Sequence, residues 1–190
     1  MNTVIGVAGS ARRNGNSATL MRVLLEAAAR KGAKTGEVYL NGLSFKGCQG
    51  CEPCSGGGEC ILEDDLTPVL EELREADGWV LASPIYYDSI SGQMKTFFYR
   101  CRTFTTDHET GELRPQLPNR RKAAVVVTYE DKPRDDYRRE AEKLAGYLSW
   151  MGDFGEVQII CEGNLGPSGA AATRPDLLDR VREAGRRLFG

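Results

Sequence analysis

Five short apolar runs, Thr3–Ala8, Glu37–Leu40, Gly78–Ala82, Lys122–Thr128 and Glu156–Ile160, are spaced by longer segments whose apolar residues recur at helical intervals. This rhythm constrains the fold more than any other feature, because repeated βα units close into a parallel sheet covered by helices. The predicted helices lie near Ser17–Lys31, Leu66–Ala76, Gly92–Arg102, Asp135–Met151 and Asp176–Phe189. The first shows its buried face in Leu20, Val23, Leu24 and Ala27, at offsets of three and four. Ala170–Asp176 reads as a loop and helix start, with Pro175 in the first turn. The expected architecture is α/β: a doubly wound five-stranded parallel sheet of order 2-1-3-4-5 with helices on both faces. At 190 residues the chain fits one domain, 1–190. Two irregular stretches, Asn41–Asp64 and Thr103–Arg121, are long enough to be functional or mobile.

In such a sheet ligands bind beyond the carboxyl ends of strands 1 and 3, where the winding reverses. That rule singles out Gly9–Ser17, Ser83–Ser91 and Thr128–Lys132. The first of these opens directly into a helix. Gly9 and Gly15 allow tight turns, Ser10, Asn16 and Ser17 supply small donors, and the helix start supplies free amides. Arg12 or Arg13 would add charge-assisted contacts to a phosphate dianion. A monophosphate suits this loop. The P-loop pattern is missing, since Asn16 stands where its lysine would be, and G-x-G-x-x-G is missing too. The plainer alternative is that Ser17 or Asn16 caps the helix.

After strand 3 comes Ser83-Pro84-Ile85-Tyr86-Tyr87. Pro84 stiffens the strand exit, and Tyr86 and Tyr87 offer broad faces suited to a flat ring such as isoalloxazine. Equally, one tyrosine would pack inward and the other sit on the surface.

Cys48, Cys51, Cys54 and Cys60 have the spacing C-x2-C-x2-C-x5-C, with five glycines between Gly47 and Gly58. Two-residue gaps let successive thiolates face one centre, and iron–sulfur clusters are held in such runs. Zinc also takes four thiolates, though with a long gap between two pairs. A thiol-bearing loop without metal and a disulfide pair are the other readings. Cys101 and Cys161, on a predicted helix and strand, read as small buried hydrophobes.

Gly9-Ser10-Ala11-Arg12-x-x-Gly15-Asn16-Ser17, followed by Ser83-Pro84-Ile85-Tyr86-Tyr87 and Ser91-Gly92-Gln93-Met94-Lys95, resembles the NAD(P)H-dependent FMN reductase family, from Val4 to about Arg100. The resemblance implies a flavodoxin-like fold with non-covalent FMN. The phosphate would lie on Ser10, Arg12, Asn16 and Ser17, and the ring near Ser83, Pro84, Ile85, Tyr86 and Tyr87. The third loop reads Thr128-Tyr129-Glu130-Asp131 where relatives are often glycine-rich, and Thr128 and Tyr129 are its expected ring contacts. The cysteine run, in a loop at about 46–62, resembles that of the iron–sulfur flavoprotein subgroup. That likeness implies a 4Fe–4S cluster on Cys48, Cys51, Cys54 and Cys60, beside FMN across a subunit interface, hence a homodimer or homotetramer.

Three functions are then open. One is an electron-transfer flavoprotein, moving electrons between a partner such as ferredoxin, the cluster and FMN. Another is an NAD(P)H-dependent FMN or quinone reductase without a cluster. The third is a non-enzymatic flavin- or metal-binding redox sensor. No convincing catalytic side-chain set is expected, because a flavin carries its own chemistry. The net charge of −2 gives no basis for gripping nucleic acid. No run approaches the roughly 20 apolar residues of a membrane span, and the N-terminus lacks secretory features, so a cytoplasmic location is expected. His108 reads as a solvated loop residue, Arg134–Glu140 as an exposed helix face, Trp79 as core, and Trp150 as core or a partner contact.

Overall fold

The computed structural model describes residues 2–56, 59–107, 109–118 and 120–189. His108 lies outside them. In chain order the elements are β1 (Thr3–Ala8), α1 (Asn16–Ala29), β2 (Lys34–Tyr39), α2 (Thr67–Glu75), β3 (Gly78–Tyr86), β4 (Ser89–Ile90), α3 (Gly92–Arg100), β5 (Lys122–Thr128), α4 (Arg138–Ser149), β6 (Val157–Glu162) and α5 (Pro175–Phe189). The five long strands pair in parallel in the order β2-β1-β3-β5-β6. This is the expected doubly wound order, with the short β4 added antiparallel to the end of β3.

Alternation along the central strands explains why they read as unbroken apolar runs. Ile5, Val7, Trp79, Leu81, Val125 and Val127 face a core shared with Leu73 of α2, Phe97 of α3 and Leu144 of α4. Val4, Ala8, Val80, Ala82, Ala124 and Val126 face the opposite core, with Leu20 and Leu24 of α1 and Leu177 and Val181 of α5. A sheet buried on both faces needs apolar residues at every position. Trp79 is fully buried, and its indole N–H donates to the Leu73 carbonyl at 3.0 Å.

The departures from expectation lie at edges and turns. β2 starts at Lys34, three residues early, because its exposed edge positions are polar. β3 runs on to Tyr86 and folds back through Tyr87 and Asp88, whose φ values of 48° and 56° make the two-residue turn that matches strand twist. α4 starts at Arg138 rather than Asp135, which has φ 68°. Most of the 134–140 charge run is exposed, but only its last three residues are helical. Asn41–Asp64 and Thr103–Arg121 are largely irregular. No helix among the described residues is long and apolar enough to cross a membrane.

Candidate functional site

The loop after β1 is drawn tightly under the sheet edge. The Gly9 amide donates to the Ala82 carbonyl at 2.8 Å. A Cβ on Gly9 would sit 2.7 Å from Ser91 Oγ and 2.8 Å from Met94 Cβ, so the position admits glycine alone without displacement. The Ser10 hydroxyl and the Arg12 backbone close a local turn, and Gly15 starts α1 with no capping side chain. The amides of the first turn are therefore left for another partner. Just inside, the Ser17 hydroxyl is buried at 1% exposure with no hydrogen-bond partner. Buried polar atoms are rarely left so, which marks the place as waiting for an acceptor.

Ser10, Arg12, Gly15, Asn16 and Ser17 form one wall of a cavity of about 180 Å³. The second loop contributes Pro84, Ile85 and Tyr86, the third Thr128, Tyr129 and Glu130, and a fourth, after β6, Leu165, Gly166 and Ser168. Asn16 ties the first loop to the fourth: its amide donates to the Leu165 and Pro167 carbonyls at 2.7 and 3.0 Å and accepts the Ala171 N–H at 3.0 Å. Its side chain is thus spent on structure, and what it offers a ligand is its backbone N–H.

Tyr129 holds the third loop. Its hydroxyl donates to the Pro133 carbonyl at 2.8 Å and accepts the Asp136 N–H at 3.0 Å, with the Cys161 thiol 3.7 Å away. Burial, reinforced by Cys161, pushes the phenol well above its ordinary pKa. Tyr129 is a neutral wall at every physiological pH. Gly163 lets the chain pass against it, since a Cβ there would collide with the Lys132 carbonyl and the Tyr129 ring.

Cys48, Cys51, Cys54 and Cys60 are free thiols that line a second cavity, of about 280 Å³. The Gly50 N–H donates to Cys48 Sγ at 3.5 Å. Among the described residues, no three His, Cys, Asp or Glu side chains are drawn together to hold a metal ion. The donor chemistry nevertheless suits a cluster, with four unpaired thiols around one space. A larger cavity of about 470 Å³ shares Cys48 and Gly50 with it and is walled by Lys95, Tyr99, Tyr147 and Trp150. Cys101 and Cys161 are buried, and burial pushes both thiols up.

Residues 2–135 match the model of the NADPH-dependent FMN reductase family. The chain belongs to that family. An iron–sulfur flavoprotein of Methanocaldococcus jannaschii is 38% identical over 99 residues, 52% of this chain and 51% of the relative. One of Archaeoglobus fulgidus is 30% identical over 146 residues, 76% of this chain and 60% of the relative. The chain thus spans about half the length of the curated relatives it matches. Among solved structures, an FMN-dependent NADH-azoreductase from Bacillus anthracis shares the fold at TM-score 0.71 and 15% identity, covering 100% of both chains. An NAD(P)H:quinone oxidoreductase from Methanothermobacter marburgensis does so at TM-score 0.71 and 19% identity, covering 98% of this chain and 96% of that one.

In this member of the FMN reductase family, nine of the residues expected at a flavin converge on the 180 Å³ cavity, and two do not. Ser83 is buried, and its hydroxyl donates to the Pro84 carbonyl at 2.8 Å and accepts the Ser91 N–H at 2.9 Å. It braces the loop instead of lining the space. Tyr87 stands fully exposed at the hairpin tip, while Tyr86, 49% exposed, lines the cavity. Leu165, Gly166 and Ser168 went unnoticed in the sequence, and Glu130 was placed in the third loop but not among its contacts. The fourth loop carries no motif, and its only signal is the Gly-Pro-Ser-Gly turn ahead of α5.

Proposed function

We propose that the chain is an FMN-dependent oxidoreductase that passes electrons between a redox partner, a 4Fe–4S cluster and FMN. The observation that carries the flavin reading is the unpartnered, buried Ser17 hydroxyl beside an uncapped helix start, opening into a cavity that the three sheet-edge loops share. Ser10, Ser17, the α1 amides and the Arg12 guanidinium would hold the phosphate. Pro84, Ile85, Tyr86, Thr128 and Tyr129 would bound the ring. When bound, FMN supplies hydride and single-electron chemistry, and a cluster on Cys48, Cys51, Cys54 and Cys60 supplies single electrons. The chain's own residues need only orient the cofactor and keep water out, and Tyr129, held neutral, suits the wall role.

We read residues 1–190 as one FMN-binding domain with its cysteine loop at about 46–62. The donor in this reading is NAD(P)H or a reduced ferredoxin. Tyr99 and Trp150, 53% and 64% exposed beside the 470 Å³ cavity, are suited to burial against a second copy, in a homodimer or homotetramer. Six unpaired cysteines accord with a reducing, cytoplasmic setting. The cluster-free alternative, an NAD(P)H-dependent reductase of flavin or quinone, draws support from the absence, among the described residues, of three ligating side chains gathered at one point.

Anaerobic purification followed by a visible spectrum and iron, sulfide and zinc assays decides between them. The proposal expects flavin bands with about four irons per chain. Flavin without iron moves the assignment to the cluster-free reductase. A chain that stays colourless with excess FMN refutes both.

A further inference from the structure

Both ends of the cysteine loop converge on one ion pair, its arginine buried and its aspartate partly so. Arg100, the last residue of α3, has a side chain 1% exposed, and its Nη1 donates to Asp64 Oδ2 at 2.6 Å. The same nitrogen donates to the Lys46 carbonyl at 3.0 Å, and Nη2 donates to the Leu62 carbonyl at 3.2 Å. Asp64 Oδ2 also accepts the Lys46 N–H at 3.1 Å. Lys46 lies two residues before Cys48, and Leu62 two residues after Cys60. One guanidinium therefore grips the chain just before the first thiol and just after the last. Arg100 and Cys60 also share the wall of a cavity of about 120 Å³. Nearby, Gly47 leans on α3, where a Cβ would meet Thr96 Cγ2 at 3.2 Å.

We infer that Arg100 and Asp64 are positioning residues for the cysteine site, holding Lys46 and Leu62, on either side of the four cysteines, together against α3. The inference rests on the cluster reading above. The two feet of the loop, Lys46 and Leu62, are separated by the whole cysteine run, and holding them together in advance removes chain entropy that metal binding would otherwise have to overcome. Partners that orient metal-binding residues typically change metal affinity by about 10–100-fold when lost. A lysine at position 100 would keep the charge but not the fork that reaches Lys46, Leu62 and Asp64 together.

Cobalt(II) titration of the apo chain under anaerobic conditions tests this, through the thiolate-to-cobalt charge-transfer band and the affinity it reports. FMN binding, read by quenching of flavin fluorescence, serves as the control. Asp64→Asn and Arg100→Lys are expected to weaken cobalt binding by about 10–100-fold, with FMN affinity within about twofold of wild type. The double variant Asp64→Asn/Arg100→Gln leaves no unpaired buried charge, so it keeps the test valid if a single variant misfolds. A double variant with wild-type cobalt affinity and band pattern overturns the inference. So does loss of cobalt and FMN binding together, which marks the pair as a general structural element. A wild-type chain that takes up neither cobalt nor iron refutes the cluster reading itself and this inference with it.

Discussion

Replacing Ser17 with alanine should move two measurements in opposite directions. Ser17 is buried at 1% exposure, and its hydroxyl has no hydrogen-bond partner within the protein. An unsatisfied buried polar atom costs about 1–3 kcal/mol. Ser17→Ala removes that cost and leaves a void smaller than a methyl group, so the apo chain should gain about 1 kcal/mol. For a chain of this size that is roughly 2–4 °C in Tm. With FMN bound, the same hydroxyl would donate to a phosphate oxygen, and a hydrogen bond to a charged group contributes about 1.5–3 kcal/mol. Losing it should weaken FMN binding roughly tenfold to a hundredfold. Calorimetry of the apo chain and fluorescence titration with FMN measure the two effects. An apo Tm that falls would show that Ser17 is merely a helix-start residue, as would an FMN affinity within twofold of wild type. Either result removes the main support for the flavin reading.

Tyr86→Ala should weaken FMN binding about tenfold, whereas Tyr87→Ala should leave it within twofold, since only Tyr86 lines the cavity; equal losses in a fluorescence titration would refute the placement. Asn16→Ala removes three hydrogen bonds to the fourth loop, so hydrogen exchange across residues 163–171 should quicken and stability fall by about 2 kcal/mol; unchanged exchange there would count against the tie. For Asp64, burial pushes the carboxyl pKa up, but hydrogen bonds from Arg100, the Lys46 N–H and the Leu66 N–H outweigh it and hold the pKa below its ordinary value. Its stabilising effect is complete above the unfolded pKa of roughly 4 and is lost as pH falls through the lower folded value. The gap in urea midpoint between wild type and Asp64→Asn should therefore close below roughly pH 4; a gap that widens on acidification would reverse the sign.

The strand order was legible because the central strands are buried on both faces, which leaves apolar runs with no polar alternation to confuse them. The edges were less so. Lys34 and Thr35 pair with β1 while facing solvent, and their polarity hides the strand. The hairpin after β3 turns on Tyr87 and Asp88, neither of which is a glycine or asparagine turn signal, so its left-handed pair could not be read. In the site, the small residues of the first loop pointed to a phosphate through their chemistry alone. Asn16 was legible as a polar residue at a helix start but not as the tie to a loop 149–155 residues away, because that partnership exists only once β6 is in place. The Leu165–Ser168 turn was hidden for the same reason.

One helix, α3, runs between the two candidate sites, which no local sequence pattern shows. α3 begins where the ring loop ends: Ser91 caps it by accepting the Met94 N–H at 3.2 Å, and the Ser91 N–H is itself held by Ser83 at the strand exit. The helix ends at Arg100, whose guanidinium grips the feet of the cysteine loop. Nine helical residues at about 1.5 Å each make a rod of roughly 13 Å. Phe97, buried on that rod, packs into the core shared with α2 and α4. A change at the Ser83–Ser91 contact is therefore expected to reach the start of α3 first, and the Arg100 end only so far as the helix moves as a unit. Ser83, which lines neither cavity, is then expected to influence both candidate sites. Ser83→Ala should loosen the α3 cap and change the environment of the thiols as well as that of the flavin. Unaltered thiol reactivity in Ser83→Ala, alongside weakened FMN binding, would show that the two sites move independently.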